Sequence, residues 1–383
     1  MFKTVLFVIL GVIVGLLMGF LIHDFTRLVE FPKREAAFFQ KRQIVGFLPY
    51  WLLDKAKDDY SKYINTLTYF GLTLDADGKI LKLVNEQETE PGWLALKTGK
   101  VGSFFLKARE KKVSLSLLVF LGDKDLIDKL MENPIENANN LVLDVEPIMK
   151  DYGFSDLNID IEKVDEASDE QRANFTKFAT EVKKELESRK LGTLTVDISP
   201  SAFLKKYLID PVGVARIVDH FIVMAYDYHF ANSYVSGPVA PLAGTDTVAE
   251  FDIQVALNEA LKIIPSDKII LGVPLYGYEW ETIGDFPRAA VIPASGQTIS
   301  NNRAEQLLKE CSGCEPRIDT EARESFLIYK DGQTGTYHQV FYPDTEATNE
   351  KIDFSRANNL AGIALWALGY EGEDILNPLL KYK

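Results

Sequence analysis

Phe154-Ser155-Asp156-Leu157-Asn158-Ile159-Asp160-Ile161-Glu162 alternates apolar and polar residues through its second half, which is the period of a β-strand. Successive strand side chains face opposite ways, so Asn158, Asp160 and Glu162 share one face while Leu157, Ile159 and Ile161 share the other. Glu162 falls where the strand reaches its C-terminal end. Polar groups turned into a protein interior are costly unless they bond one another or a ligand. Two readings are open: a convergent polar site, or a buried polar ladder that only fixes strand register. Asp144 and Glu146 repeat the Asp-x-Glu spacing, but they sit among Leu141, Val145, Ile148 and Met149 at helical intervals. Residues two apart on a helix diverge by about 200°, so that pair is expected to be solvated rather than convergent, although Pro147 weakens the helical assignment.

Seven further apolar runs surround this segment: 44–48, 66–70, 115–121, 194–198, 221–225, 268–273 and 362–366. Continuous apolar character is expected of parallel strands covered on both faces. Helical patterns lie between several runs, as in Arg172 to Ser188, where Phe175, Phe178, Ala179, Val182 and Leu186 fall on one face. Eight strand–helix alternations predict an α/β chain closed into a (β/α)8 barrel. An open doubly wound sheet is the alternative, but no glycine-rich phosphate loop follows the first run. About 90 residues separate the last two runs, far more than a connection needs. That interval holds 325–329 and 337–342 around Asp331-Gly332 and Gly335, a hairpin pattern. A small α+β insertion is expected at about 276–345, between strands 7 and 8, on the barrel's C-terminal rim.

Thr4 to Ile22 is almost wholly apolar and uncharged, just long enough to cross a bilayer core as a helix. It ends in Phe20-Leu21-Ile22 rather than in a small-x-small cleavage pattern. The expectation is one transmembrane helix at 1–22, a stalk at 23–43 and the barrel at 44–383. Gly11, Gly15 and Gly19 share a helix face, a spacing that permits a dimer of membrane helices or reflects only the abundance of glycine there. A net charge of −14 argues against a nucleic-acid partner. Four His and two Cys without HExxH spacing indicate no metal site, and no cofactor is expected. Cys311-Ser312-Gly313-Cys314 reads as a small loop disulfide of an oxidising compartment, with a redox motif or half a zinc site as alternatives. His229 reads as a structural histidine, while Trp51 and Trp280, at strand ends, are candidate sugar-stacking residues.

At Asn158-Ile159-Asp160-Ile161-Glu162 the chain resembles glycoside hydrolase family 18, whose fourth-strand motif is Asp-Gly-x-Asp-x-Asp-x-Glu. Asp160 and Glu162 match its last two acids. Asn158 is similar to the branch that includes spore-cortex-lytic N-acetylglucosaminidases, and Ser155 and Asp156 replace the leading Asp-Gly. Further pieces follow in the family's order. Val45 to Trp51 looks like its first strand and loop, Met224-Ala225-Tyr226-Asp227 like its sixth, 271–277 like its seventh and 362–370 like its eighth. The resemblance covers about 44–375 and implies a TIM barrel that hydrolyses β-linked N-acetylglucosamine-containing glycan, peptidoglycan or chitin. It implies substrate assistance, with the 2-acetamido oxygen as nucleophile. Glu162 would be the acid, Asp160 would orient the acetamido group and Tyr226 would bond its carbonyl. Asn158 and Asp227 would be polar substrate contacts, and Trp366 the floor under the sugar. A non-catalytic carbohydrate-binding protein of the same fold is the competing reading, whose usual sign is loss of the acid. With the apolar N-terminal segment, an enzyme of this kind would be membrane-anchored with its catalytic part outside the cytoplasm, secretion after cleavage of the segment being the alternative.

Overall fold

The computed structural model describes residues 42–382 apart from 312, 313 and 315. The strands, in chain order, are β1 (Gln43–Pro49), β2 (Thr66–Thr73), β3 (Leu83–Asn85), β4 (Glu88–Thr89), β5 (Ser114–Leu121), β6 (Asp156–Ile161), β7 (Thr193–Ile198) and β8 (His220–Val223). They continue with β9 (Ile269–Pro274), β10 (Tyr276–Thr282), β11 (Gln297–Ser300), β12 (Arg317–Asp319), β13 (Glu324–Lys330), β14 (Tyr337–Tyr342) and β15 (Gly362–Trp366). The eight apolar runs form one closed parallel barrel, ordered β1-β15-β9-β8-β7-β6-β5-β2. Closure is made where Gln43 pairs with Gly362 and Gly46 with Leu365. β9 is buried at every position, as a strand with helices outside and a filled barrel inside must be.

Helices cover the outside by the expected stripe. The helix Asp169–Arg189 opens on a capping box in which Ser168 accepts from the Gln171 N–H and Gln171 returns a bond to the Ser168 backbone. It buries Phe175, Phe178, Ala179, Val182 and Leu186. The helix Pro134–Tyr152 runs through Pro147 and carries Asp144 and Glu146, which do not converge. They are not simply solvated either. Asp144 accepts from the Ile80 N–H (2.9 Å) and Lys82 (2.7 Å), and Glu146 pairs with Lys150 and Arg189.

Between β9 and β15 the chain builds a five-stranded antiparallel sheet, ordered β11-β10-β14-β13-β12. The β13–β14 hairpin pairs Lys330 with Tyr337, its turn closed by Asp331 accepting from the Gln333 and Thr334 N–H groups. The sheet has its own core of Tyr276, Tyr278, Trp280, Phe326 and Phe341. Trp280 is fully buried there, and its indole N–H donates to the Phe230 carbonyl. It is thus a core residue and offers no face to a sugar. Cys311 and Cys314 are joined as a disulfide.

Gln43 already pairs in β1, so the barrel begins one residue before the expected boundary. The apolar segment 4–22, the stalk residues up to 41 and Gly11, Gly15 and Gly19 lie outside the described residues. Among the described residues no helix is long and apolar enough to cross a membrane.

Candidate active site

The C-terminal rim of the barrel opens on a cleft of about 690 Å³. Asp160, Glu162, Tyr226, Asp227, Trp51 and Trp366 all line it. Asn158 does not: it lies one layer down, level with Thr195, fully buried beneath the cleft floor. A strand rises about 3.3 Å per residue, so inward positions two apart belong to successive layers, and only Asp160 and Glu162 reach the open end. Glu162 follows the last residue of β6, its N–H donating to the Leu121 carbonyl (2.9 Å).

The carboxylates crowd one another. Asp160 is buried, and desolvation first, then the charges of Glu162 and Asp197, push its carboxyl well above the ordinary range. One Asp160 oxygen has no hydrogen-bond partner among the protein groups. Asp197, at the inward position near the end of β7, is also raised well above its usual value. Burial leads, and the Asn158 amide beside it pulls the other way. Glu162 is open to the cleft, yet the cleft walls desolvate it enough to raise its carboxyl, with Asp227 the second cause. The result is a carboxyl at the open end, raised above its ordinary range and standing over an acidic pair, the direction of shift that suits a general acid.

Asp160 therefore burdens the fold at neutral pH. Its folded carboxyl titrates above the unfolded one, so its stabilising proton is fully held below about pH 4 and lost as pH rises through the raised folded value. Asp160→Asn is expected to unfold at higher denaturant concentration than wild type at neutral pH, with the difference vanishing near pH 4. An equal midpoint at neutral pH would sink that account.

Tyr226 and Asp227 lie just beyond β8. Gly272 on the neighbouring β9 makes room for them, because a Cβ there would lie 2.6 Å from the Val223 carbonyl and 3.0 Å from the Tyr226 ring. Burial first, then the surrounding carboxylates, raise the Tyr226 hydroxyl well above its usual value, so it stays a donor. Asp227 has φ of +61° and accepts from the hydroxyls of Tyr276 (2.5 Å) and Tyr278 (3.0 Å) of the inserted sheet. Trp366 packs edge-on against Phe47 (5.5 Å) and Phe70 (5.1 Å), which fixes its indole at the bottom of the cleft. Trp51, 44% exposed, stands 6.3 Å from Trp366 by ring centroids. His229 bonds the Pro238 carbonyl through Nδ1 (2.9 Å) and is buried, a structural role.

The reading of the sequence missed Asp197, Tyr276 and Tyr278. Asp197 had a signal, since Leu194-Thr195-Val196-Asp197-Ile198 repeats the alternation of β6 on the adjacent strand. Among the described residues no group of three or more His, Cys, Asp or Glu could hold a metal. None of the residues lining the cleft is Lys, Arg or His.

The profile of Glycosyl hydrolases family 18 matches residues 43–371. The cortical fragment-lytic enzyme of Bacillus subtilis is 26% identical over 262 residues, which are 66% of this chain and 52% of that protein. The chain thus spans about half the length of that relative. The barrel superposes on the Ostrinia furnacalis Group IV chitinase with a TM-score of 0.74 at 20% identity, covering 89% of this chain and 97% of that one. The Bacillus megaterium spore cortex-lytic enzyme SleL gives 0.70 at 20% identity, covering 91% and 75%. A profile match that runs from the first barrel strand to just beyond the last assigns the chain: it belongs to glycosyl hydrolases family 18.

Proposed function

We propose that this protein hydrolyses a β-linked N-acetylglucosamine-containing glycan, chitin or peptidoglycan, with retention of configuration. The observation that carries the reading is Glu162, its carboxyl raised, at the open end of β6 directly above the buried Asp160. In this scheme Glu162 protonates the glycosidic oxygen while the substrate's acetamido oxygen attacks C1. The unpartnered oxygen of Asp160 accepts the acetamido N–H and stabilises the positive charge of the cyclic intermediate. Tyr226 donates to the acetamido carbonyl oxygen, and Asp227 offers a further polar contact. Trp366 forms the apolar floor, and half-exposed Trp51 extends it. Glu162, now a carboxylate, then activates the water that opens the intermediate.

A relative named as a cortical fragment-lytic enzyme and the Ostrinia chitinase in complex with allosamidin support this class. The Cys311–Cys314 disulfide and the apolar segment 4–22 support an extracytoplasmic barrel on a membrane anchor, since disulfides persist in oxidising compartments. The chain enters the barrel at Gln43, at the end of the strands opposite the cleft.

The test is to incubate the full-length chain, in detergent, with chitin oligosaccharides and with peptidoglycan. Products are identified by mass spectrometry, and the first anomer formed by proton resonance. Cleavage with the β-anomer appearing first is expected. Binding without cleavage of either polymer would favour a carbohydrate-binding role, and initial α-anomer would exclude the substrate-assisted route.

A further inference from the structure

The interior of an eight-stranded barrel is ordinarily filled by layers of bulky branched side chains. On one side the lower interior follows that rule, with Val45, Ile222, Ile270 and Ala364 packed together. The opposite side does not. β2, β5, β6 and β7 turn Thr68, Ser116, Asn158 and Thr195 inward at neighbouring positions, Thr68 level with Ser116 and Asn158 level with Thr195. These side chains are too short to fill the space. They line a cavity of about 220 Å³ at the barrel's N-terminal end, on the far side of the catalytic layer from the cleft.

Val45, Ile222 and Ile270 form one wall of this cavity, and its facing polar wall is incompletely satisfied. Thr68, Ser116, Asn158 and Thr195 are each at most 5% exposed. Thr68 Oγ1 and Asn158 Oδ1 have no hydrogen-bond partner in the protein, and buried polar groups of this kind are normally satisfied. Asp156 stands at the lip, accepting from Ser116 Oγ (2.7 Å), Thr193 Oγ1 (2.6 Å) and Thr195 Oγ1 (3.0 Å). No Lys or Arg lines the cavity. His220, the one ring nitrogen group on its wall, is held toward its neutral form by burial. Asp156 thus has no permanent positive charge on the wall beside it, and a carboxylate drawn out of water is stabilised by one.

The chemistry of the wall says which ligand supplies it. A hydroxyl that donates to a carboxylate keeps its oxygen lone pairs free. The cavity therefore presents one carboxylate, the hydroxyl oxygens of Thr68, Ser116 and Thr195, and one amide oxygen. The oxygens of this set suit a hard cation, and with Asp156 as the one carboxylate among them a monovalent ion is the match. Exposed Ser114, Ser155 and Thr193 leave the mouth open to solvent.

We propose that this well is a binding site for a monovalent cation of the sodium or potassium class, held by Asp156, Thr68, Ser116, Asn158 and Thr195. The bound ion satisfies the two orphaned oxygens and stabilises the lower barrel. It lies on the same inward face of β6 as Asp160, so its charge also offsets the crowding of carboxylates above it.

The test follows thermal unfolding of the full-length chain in detergent as sodium or potassium chloride replaces choline chloride at constant ionic strength. Wild type is expected to show a saturable rise in Tm of about 2 °C or more. Asp156→Asn, nearly isosteric, is expected to show none. Thr68→Val removes one oxygen donor that has no partner in the protein, and is expected to shift the saturation several-fold to higher cation concentration. It also carries the test if Asp156→Asn does not fold. A wild-type Tm indifferent to the cation up to molar concentration, or equal responses in wild type and Thr68→Val, would overturn the proposal and leave a well filled by water alone.

Discussion

Glu162→Gln is expected to lower kcat on chitin oligosaccharides by about 10³-fold, within the range general acids contribute, while KM stays near its wild-type value. Gln has the size and hydrogen-bonding reach of Glu but no proton to give. The loss therefore falls on the transition state, where the leaving oxygen gains charge, and not on ground-state binding. Leaving-group dependence makes the prediction sharper. An aryl glycoside with an acidic phenol needs little protonation to depart, so the deficit in its glycosylation step is expected to shrink. The pH profile follows from the raised carboxyl of Glu162. Activity on unactivated substrates is expected to persist above the ordinary carboxylate range and to fall as pH rises through the elevated value, when the acid loses its proton. The decisive measurement is the ratio of wild-type to variant kcat on both kinds of substrate. A ratio near one on the oligosaccharide would remove Glu162 from the role of acid.

The second large effect lies away from the reacting atoms. Glu324 begins β13 and Lys351 lies in the helix Thr345–Ala357, and both side chains are wholly buried, 3.9 Å apart. Glu324 also accepts from the N–H groups of Val239 (2.6 Å) and Ala240 (2.9 Å). Burial dominates both groups, pushing the carboxyl up and the ammonium down despite their mutual attraction. The pair is thus a costly arrangement that nevertheless joins the inserted sheet, the helix behind it and the loop beyond β8. That loop holds the active-site segment, since the Tyr228 N–H donates to the Val239 carbonyl (3.0 Å). Glu324→Ala strands a buried lysine and two backbone N–H groups, and is expected to cost about 3–5 kcal/mol in denaturant unfolding. Adding Lys351→Met is expected to recover part of that loss, because an apolar replacement removes the uncompensated charge. If the double variant is less stable than Glu324→Ala alone, the desolvation account fails.

Most of the barrel was legible because its strands are covered on both faces. Runs such as Ile269 to Val273 are apolar at every position, and that pattern survives without any knowledge of neighbours. The two acids at the open end of β6 were legible for a related reason, because alternation on a strand fixes direction. What alternation does not convey is height. Asn158 shares its face with Asp160, but sits one layer too deep to reach a substrate. Trp280 failed as a sugar platform because its surroundings are supplied by β14 and by the loop at Phe230, distant segments whose approach no local pattern announces. The same applies to Tyr276 and Tyr278, whose meaning depends on Asp227 being opposite them.

The pairing of Gln43 with Gly362 joins nearly the first described residue to one close to the last, and this governs when the enzyme comes into being. Contacts of such long sequence separation form late and slowly. Until β15 emerges, β1 and β9 present unpaired backbone edges, the kind of surface that recruits foreign strands. Trp366 arrives with that last strand, so the wall of the cleft and the closure of the cylinder are completed together. A growing chain that lacks β15 therefore lacks Trp366 from its cleft. Completion of the cleft thus waits on the last barrel strand, without any separate inhibitor.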